Sequence, residues 1–148
     1  MSSITLAALI AVATAGFAIT LQAPINAALG RNLGSTLGAA SVSFFVGFSL
    51  LLALSFLRGE AGAFMRLAAT PRWMLVGGAL GAFYVWAALW SIPILGALTT
   101  ASMLILGQMI AALAIDHFGL IGLPVREISL PRLAAAGLVA AGLVLSRF

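Results

Sequence analysis

Two carboxamides lie four residues apart near the end of the first apolar run of the chain, with a proline between them. They are Gln22 and Asn26, in the stretch GFAITLQAPINAALGRNLGS (residues 16–35). In a helix the two side chains share one face, while Pro24 supplies no N–H and frees a backbone carbonyl in the preceding turn. Such a neutral polar surface can hydrogen-bond a ligand or hold a neighbouring helix, and the sequence leaves both interpretations open.

A third carboxamide, Gln108, lies at the centre of another apolar run. It is eleven residues from Ala97 and ten from Phe118, which places it near the midplane of a membrane-spanning helix. An unsatisfied amide in hydrocarbon costs several kcal/mol, so Gln108 must face another helix, water or a solute. A position on a solute path and an interhelical hydrogen bond are equally consistent with the sequence.

A carboxylate and a histidine are adjacent at the end of the same run. Asp116 lies about 12 Å beyond Gln108, at about 1.5 Å per helical residue, near the headgroup level of a membrane. It is a candidate for coupling to a proton or sodium ion, although capping a helix or pairing with an arginine is the commoner role there. His117 lies about 100° around the helix from it, which is poor geometry for a shared metal ion. We expect no metal site.

Enzymatic interpretations lack the necessary groups. The chain has no cysteine, no lysine and a single histidine, so no Ser–His–Asp set can converge within the membrane. No zinc-binding HExxH, phosphate-binding loop or GxGxxG pattern is present. We therefore expect neither an enzyme nor a bound cofactor.

The composition indicates which elements position these residues. Hydrophobic residues make up 64% of the chain, charged residues 7%, and the mean hydropathy is +1.24, values typical of an integral membrane protein. A spanning helix needs about 20 apolar residues, whereas a barrel would need alternating apolar and polar residues, which the runs lack. The prediction is one all-α transmembrane domain over residues 1–148. Its five spans are at about 4–29, 37–57, 73–91, 97–117 and 131–147.

The charges are few and lie between the spans. The net charge of +4 comes from scattered arginines that form no phosphate-tracking patch, so we expect no nucleic-acid partner. On the side of the N-terminus lie Arg58, Arg66, Arg72, Arg126 and Arg132. On the opposite side lie Arg31 and Arg147. The positive-inside rule favours a cytoplasmic N-terminus, and the small difference is compatible with dual topology.

Small residues at helical spacing indicate faces for close helix packing. They are Gly77 and Gly81 in the third run, and Gly137 and Ala141 in the last. The last run has no polar residue in its centre. We expect it to pack against another helix, in its own chain or in a partner.

Two further pairs of residues are candidates for packing or for a pocket. Ser43 and Phe44 lie in the second run among small residues, which favours packing, although a pocket lined by Phe44 and floored by Ser43 is also consistent. Tyr84 and Trp86 lie deep in the third run, where Trp86 shares a face with other aromatic residues. That face is either core or a flat wall for a planar ligand.

Three stretches of the chain resemble a known family. They are QAPINAALGRNLGSTLGAASVSFFVG (22–47), WMLVGGALGAFYVWAALWSIPILGALTTASMLILGQ (73–108) and DHFGLIGLP (116–124). They are similar to the small five-span YdcZ-like proteins of the bacterial inner membrane, within the drug/metabolite transporter superfamily. The resemblance implies an exporter-like role, with the five-span unit acting as half of an inverted pair. Unlike the more distantly similar small multidrug resistance proteins, the first span has no Glu, which argues against a carboxylate-centred proton exchange there.

An odd number of spans agrees with this interpretation. Secondary transporters commonly bind solute between two inverted halves, and a second copy inserted upside down, or an opposite-facing paralogue, would supply the missing half. We expect an antiparallel dimer that exports small metabolites or drug-like solutes by alternating access. The path-lining candidates are Gln22, Asn26, Gln108, Tyr84, Trp86, Ser43 and Phe44. The alternatives are a dual-topology channel and a non-transporting membrane scaffold or accessory subunit.

Overall fold

The computed structural model describes residues 3–146, and helices cover most of that range. The helices are α1 (Ser3–Leu33), α2 (Thr36–Leu57), α3 (Ala61–Met65), α4 (Val76–Leu95), α5 (Ala97–Phe118) and α6 (Leu130–Leu145). Short 3₁₀ turns occupy Arg66–Ala69, Arg72–Leu75 and Leu120–Gly122. Each of the five predicted spans corresponds to a helical segment; in the fifth the helix ends at Leu145, and Arg147 lies outside the described residues.

The length and surface of the helices are those of a membrane protein. Four are long and apolar enough to cross a bilayer, namely α1, α2, the segment Arg72–Leu95 and α5. With 16 residues, α6 spans about 24 Å at about 1.5 Å per residue, somewhat less than about 30 Å of hydrocarbon. Large apolar side chains face outward, as at Ile4 (81% exposed) and Leu57 (83%), a surface suited to lipid. The chain is an all-helical membrane protein whose predicted five spans are four full-length helices and this shorter one.

The chain divides into two compact units, one ending at Pro93 and the other beginning at Ile94. In the first unit α1 and α2 form a helical hairpin with a very short turn. Gly34 adopts φ +65° there, a conformation that glycine adopts without steric cost. Ser35 caps α2, because its hydroxyl accepts a hydrogen bond from the Gly38 N–H at 2.9 Å, as expected of a serine N-cap. The turn thus places the end of α1 beside the start of α2.

Helix α4 completes the first unit by packing against small residues of α2. The core consists of Ala39, Ala40 and Leu89, with Leu29, Val85 and Trp86 packed against it. Gly81, predicted as a packing residue, faces the Phe44 ring, whose Cζ would lie 3.7 Å from a Cβ at this position. Close approach of α2 and α4 therefore depends on residues without bulky side chains.

The second unit consists of α5, α6 and their connector. Gly119 ends α5 in the left-handed conformation, with φ +58°, and its N–H donates to the Ile115 carbonyl. The chain then turns back, so that the Arg126 N–H donates to the Asp116 carbonyl at 2.8 Å. Gly119 thereby directs the connector across the end of α5.

The turn after α5 gives a test of this description. A Cβ at Gly119 would lie 2.7 Å from Val125 Cγ2 and 3.2 Å from the Leu123 carbonyl oxygen, and a left-handed alanine adds about 1–2 kcal/mol. We expect Gly119→Ala to lower the melting temperature in detergent. Gly142→Ala is the control, because a Cβ added at Gly142 would have no atom within 4 Å and alanine is favoured within a helix by about 1 kcal/mol. Equal melting temperatures for the two variants would contradict the assigned turn.

Candidate functional site

Three of the predicted polar residues meet between α1 and α2, and we call this group the polar notch (Gln22, Asn26 and Ser43). The Asn26 Nδ2 donates to the Ser43 Oγ at 2.9 Å, and the Gln22 Nε2 donates to the same oxygen at 3.4 Å. Asn26 is buried, with 6% of its surface exposed, whereas Gln22 is exposed. The notch therefore joins the two helices at Asn26 and reaches the surface of the chain at Gln22.

The notch has more hydrogen-bonding capacity than its members use on one another. Each carboxamide has two N–H donors and a carbonyl acceptor, and a hydroxyl both donates and accepts. The two bonds to Ser43 are the ones that Gln22 and Asn26 make through their side chains within residues 3–146. Several donor and acceptor positions therefore remain available at the exposed side of the notch.

Pro24 frees a backbone acceptor on α1, on the face of the helix opposite Gln22 and Asn26. It lies inside α1, which continues unbroken to Leu33. Because proline has no N–H, the Thr20 carbonyl lacks its usual partner four residues later. The Thr20 hydroxyl is itself committed to the Gly16 carbonyl at 2.9 Å. The freed carbonyl is therefore not part of the polar notch.

An aromatic wall on α4 belongs to the same unit as the notch. Trp86 is stacked on Trp90 with ring centroids 6.3 Å apart and planes 13° apart, and Phe83 lies 6.0 Å from Trp86 on the other side. Trp86 packs against the core that contains Ala39 and Ala40, which lie one helical turn before Ser43. The wall and the notch therefore adjoin successive turns of α2. Tyr84 on the same helix is half-buried.

Gln108 has no partner within the described chain. Its side chain is exposed, and no hydrogen bond or ion pair joins it to any of residues 3–146. The residues beside it, Ile105 and Ile110, are exposed apolar side chains, as expected at the centre of a span. In hydrocarbon the carboxamide needs a partner, from a helix, water or a solute, because lipid tails form no hydrogen bonds.

Asp116 is paired rather than isolated. Its carboxylate forms an ion pair with the Arg132 guanidinium, which also donates to the Arg126 carbonyl at 3.5 Å. The pair links the end of α5 to the start of α6 across the connector. This is the arginine-paired alternative that the sequence left open, and a role for Asp116 in ion coupling stays a prediction. Within residues 3–146 no three metal-ligating side chains come together.

Two buried threonines at the start of α5 were missed by the sequence analysis. Thr99 and Thr100 are buried, and the Thr99 hydroxyl lies 3.4 Å from the Ser146 hydroxyl at the end of α6. Thr100 is 4% exposed, and its hydroxyl has no partner among the described residues. The available signal was two consecutive hydroxyls in the first turn of an otherwise apolar run.

The remaining packing candidates lie at open positions of the single chain. No atom lies within 4 Å of a Cβ built at Gly77 or Gly137, and Ala141 is exposed. Their predicted role in close helix contact therefore stays a prediction.

These features define the class of the protein as a multi-pass helical membrane protein with uncharged polar residues inside its spans. Residues 6–145 match the family model described as "Putative inner membrane exporter, YdcZ", and the chain belongs to this family. It is 30% identical over 146 residues to the inner membrane protein YdcZ of Escherichia coli (strain K12). The aligned region covers 98% of this chain and 96% of that protein. No solved structure matched the chain. The predicted family is thereby confirmed, as is a multi-pass location in the inner membrane, and the family description is that of a transporter rather than an enzyme.

The bond between Asn26 and Ser43 predicts a difference between two serines of α2. In Ser43→Ala the buried Asn26 amide loses its acceptor, at a cost of about 1–3 kcal/mol. Ser41→Ala is the matched control, because the Ser41 hydroxyl is exposed and donates to the Leu37 carbonyl of its own helix. We expect a lower melting temperature in detergent for Ser43→Ala than for Ser41→Ala. Equal losses would show that the notch contributes nothing to the hairpin.

Proposed function

We propose that the protein is a secondary transporter that exports small metabolites or drug-like solutes across the inner membrane by alternating access. The family description supports an exporter. The uncharged polar residues inside the spans support a solute path, because unpaired polar groups in hydrocarbon are costly and are retained where they have a partner or a function. The path-lining residues of this proposal are Gln22, Asn26, Ser43 and Gln108, with the aromatic Phe44, Tyr84 and Trp86 as its apolar wall.

The observation that carries the proposal is the unpartnered Gln108. Residues 3–146 of one copy leave this carboxamide exposed and without a partner at the centre of α5, which supports a second chain as the source of its partner. A carboxamide is both donor and acceptor, and two copies of it can therefore pair with each other or with a solute between them. The working unit is a dimer in which α5 of each chain contributes its Gln108 to the site.

The dimer of this proposal is antiparallel. A twofold axis in the plane of the membrane exchanges the two faces of the bilayer, so only residues at the midplane keep their depth and can meet their own copies. Gln108 is at the midplane of α5, and the odd number of spans places the two termini on opposite sides. Such a pair has the inverted halves that alternating access requires. A second copy of this chain or an opposite-facing paralogue can supply the other half.

Fixing the orientation tests the function and the antiparallel dimer together. Two lysines inserted after Ser2 should fix the N-terminus inside, and two lysines appended after Phe148 should fix it outside, because positive loops are retained in the cytoplasm. We expect each variant alone to lose most gradient-driven flux in proteoliposomes, and co-expression of both variants to restore it. The wild-type chain is the control.

Three other results would contradict parts of this account. Full flux from either variant alone would exclude the antiparallel pair. Conductance that ignores the pH and sodium gradients would indicate a channel. Absence of flux from a well-folded wild-type chain, with any gradient, would indicate a scaffold or accessory subunit.

A further inference from the structure

The interiors of the described spans hold no charged residue. In the helices of residues 3–146 the charges lie in the first or last turns, as at Arg31 in α1 and at the pair formed by Asp116 and Arg132. Residues between those turns are apolar or neutral polar. A solute that crosses along them meets hydrogen-bonding groups but no counter-charge.

The cost of an unpaired charge decides what such a path accepts. A charged group at the bilayer centre is costly unless a counter-charge or water accompanies it. An aromatic face can attract a cation, but it supplies neither a counter-charge nor water. The wall at Trp86 therefore does not compensate a cation in full, and an anion gains nothing from it. Uncharged solutes avoid this cost.

The polar notch and the aromatic wall together describe the shape of the solute. The notch has unused donors and acceptors at its exposed side, at Gln22 above all, and suits a solute that both donates and accepts hydrogen bonds. Trp86 and Trp90 are stacked nearly parallel, and a flat ring can stack beside them. Both surfaces lie in the first unit, where Trp86 packs against the core that contains Ala39 and Ala40, one helical turn before Ser43.

We infer that the solutes of this transporter are uncharged, hydrogen-bonding molecules with a flat apolar part, and that Gln22 reads their polar end. This inference rests on the proposed transport function. Gln22 is the exposed carboxamide of the notch, and it therefore determines whether a charged solute is accepted.

Three solutes that share a nitroaryl ring test the inference. They are 4-nitrophenyl glucoside, which is neutral; 4-nitrophenyl phosphate, an anion; and (4-nitrobenzyl)trimethylammonium, a cation. All three cross bare bilayers slowly, so uptake into proteoliposomes reports the protein. We expect flux of the glucoside to exceed that of either ion at least about tenfold, and we expect the glucoside alone to raise the melting temperature in detergent, because a ligand stabilises the state that binds it.

Substitution of Gln22 gives a gain-of-function test with matched controls. Gln22→Glu adds a negative charge at the notch, and at pH 8 we expect it to raise flux of the cation at least about tenfold and to lower that of the glucoside. Gln22→Leu should lower glucoside flux without admitting the cation. Thr14→Val is the control on the same helix, because the exposed Thr14 hydroxyl bonds only to the Ile10 carbonyl. Melting curves establish that each variant is folded.

The outcomes separate this inference from the proposed function. Preferred flux of either ion by the wild-type chain would uphold transport and overturn the solute class. A melting shift with the glucoside that Gln22→Leu abolishes, without any flux, would uphold the class and overturn transport. If the wild-type chain shows neither glucoside flux nor a melting shift with the glucoside, both the transport function and the solute class are overturned. If Gln22→Glu and Thr14→Val have the same fluxes of cation and glucoside, the role of Gln22 is overturned.

Discussion

Hydrocarbon offers no hydrogen-bond partner to a polar group, and the rest of this structure depends on that constraint. Backbone groups meet it by forming helices along nearly the whole described chain. Side chains meet it in different ways. Asn26 and Ser43 satisfy each other inside the first unit, and Asp116 and Arg132 neutralise each other in the second. Gln108 has no partner in residues 3–146 of its own chain, and in the proposed function a second chain or a solute supplies one.

The same constraint acts differently on the two halves of the polar notch. Its buried half, from Asn26 to Ser43, holds the hairpin of α1 and α2 together, while its exposed half at Gln22 keeps hydrogen-bonding capacity free. The sequence left open whether the two carboxamides contact a helix or a solute; in the proposed function Asn26 holds the helix and Gln22 contacts the solute. The difference between the two residues is one of burial, since Asn26 is buried between the helices and Gln22 is exposed.

Helix positions could be predicted from the sequence because apolar run length sets the span. The predicted runs 37–57 and 97–117 differ from α2 and α5 by one residue at one end. The first and third runs extend further than predicted, because α1 and α4 end only where Gly34 and Gly96 adopt positive φ. Pro93 lies inside α4 without ending it. Composition therefore predicts which residues lie inside a span. The residue at which the helix ends depends on which glycine adopts a positive φ.

Side-chain partners could be predicted only in part, since they depend on how helices are rotated against each other. The shared face of Gln22 and Asn26 followed from their spacing, but Ser43 as their common partner did not. The burial of Thr99 and Thr100 was missed for the same reason. An arginine partner for Asp116 was one of two open alternatives, and the fold of the connector brings Arg132 to it.

Disulfide formation along α5 tests the antiparallel meeting of two chains at Gln108 most directly. The chain has no cysteine, so single cysteines can be introduced at Leu104 and Ala112, each about 6 Å from Gln108 along the helix. In the antiparallel dimer a cysteine at 104 lies near a cysteine at 112 of the partner, and about 12 Å from its own copy, beyond the reach of a disulfide. The account predicts cross-linking only when Leu104→Cys and Ala112→Cys chains are mixed. Cross-linking of each variant with itself, and not with the other, would contradict it.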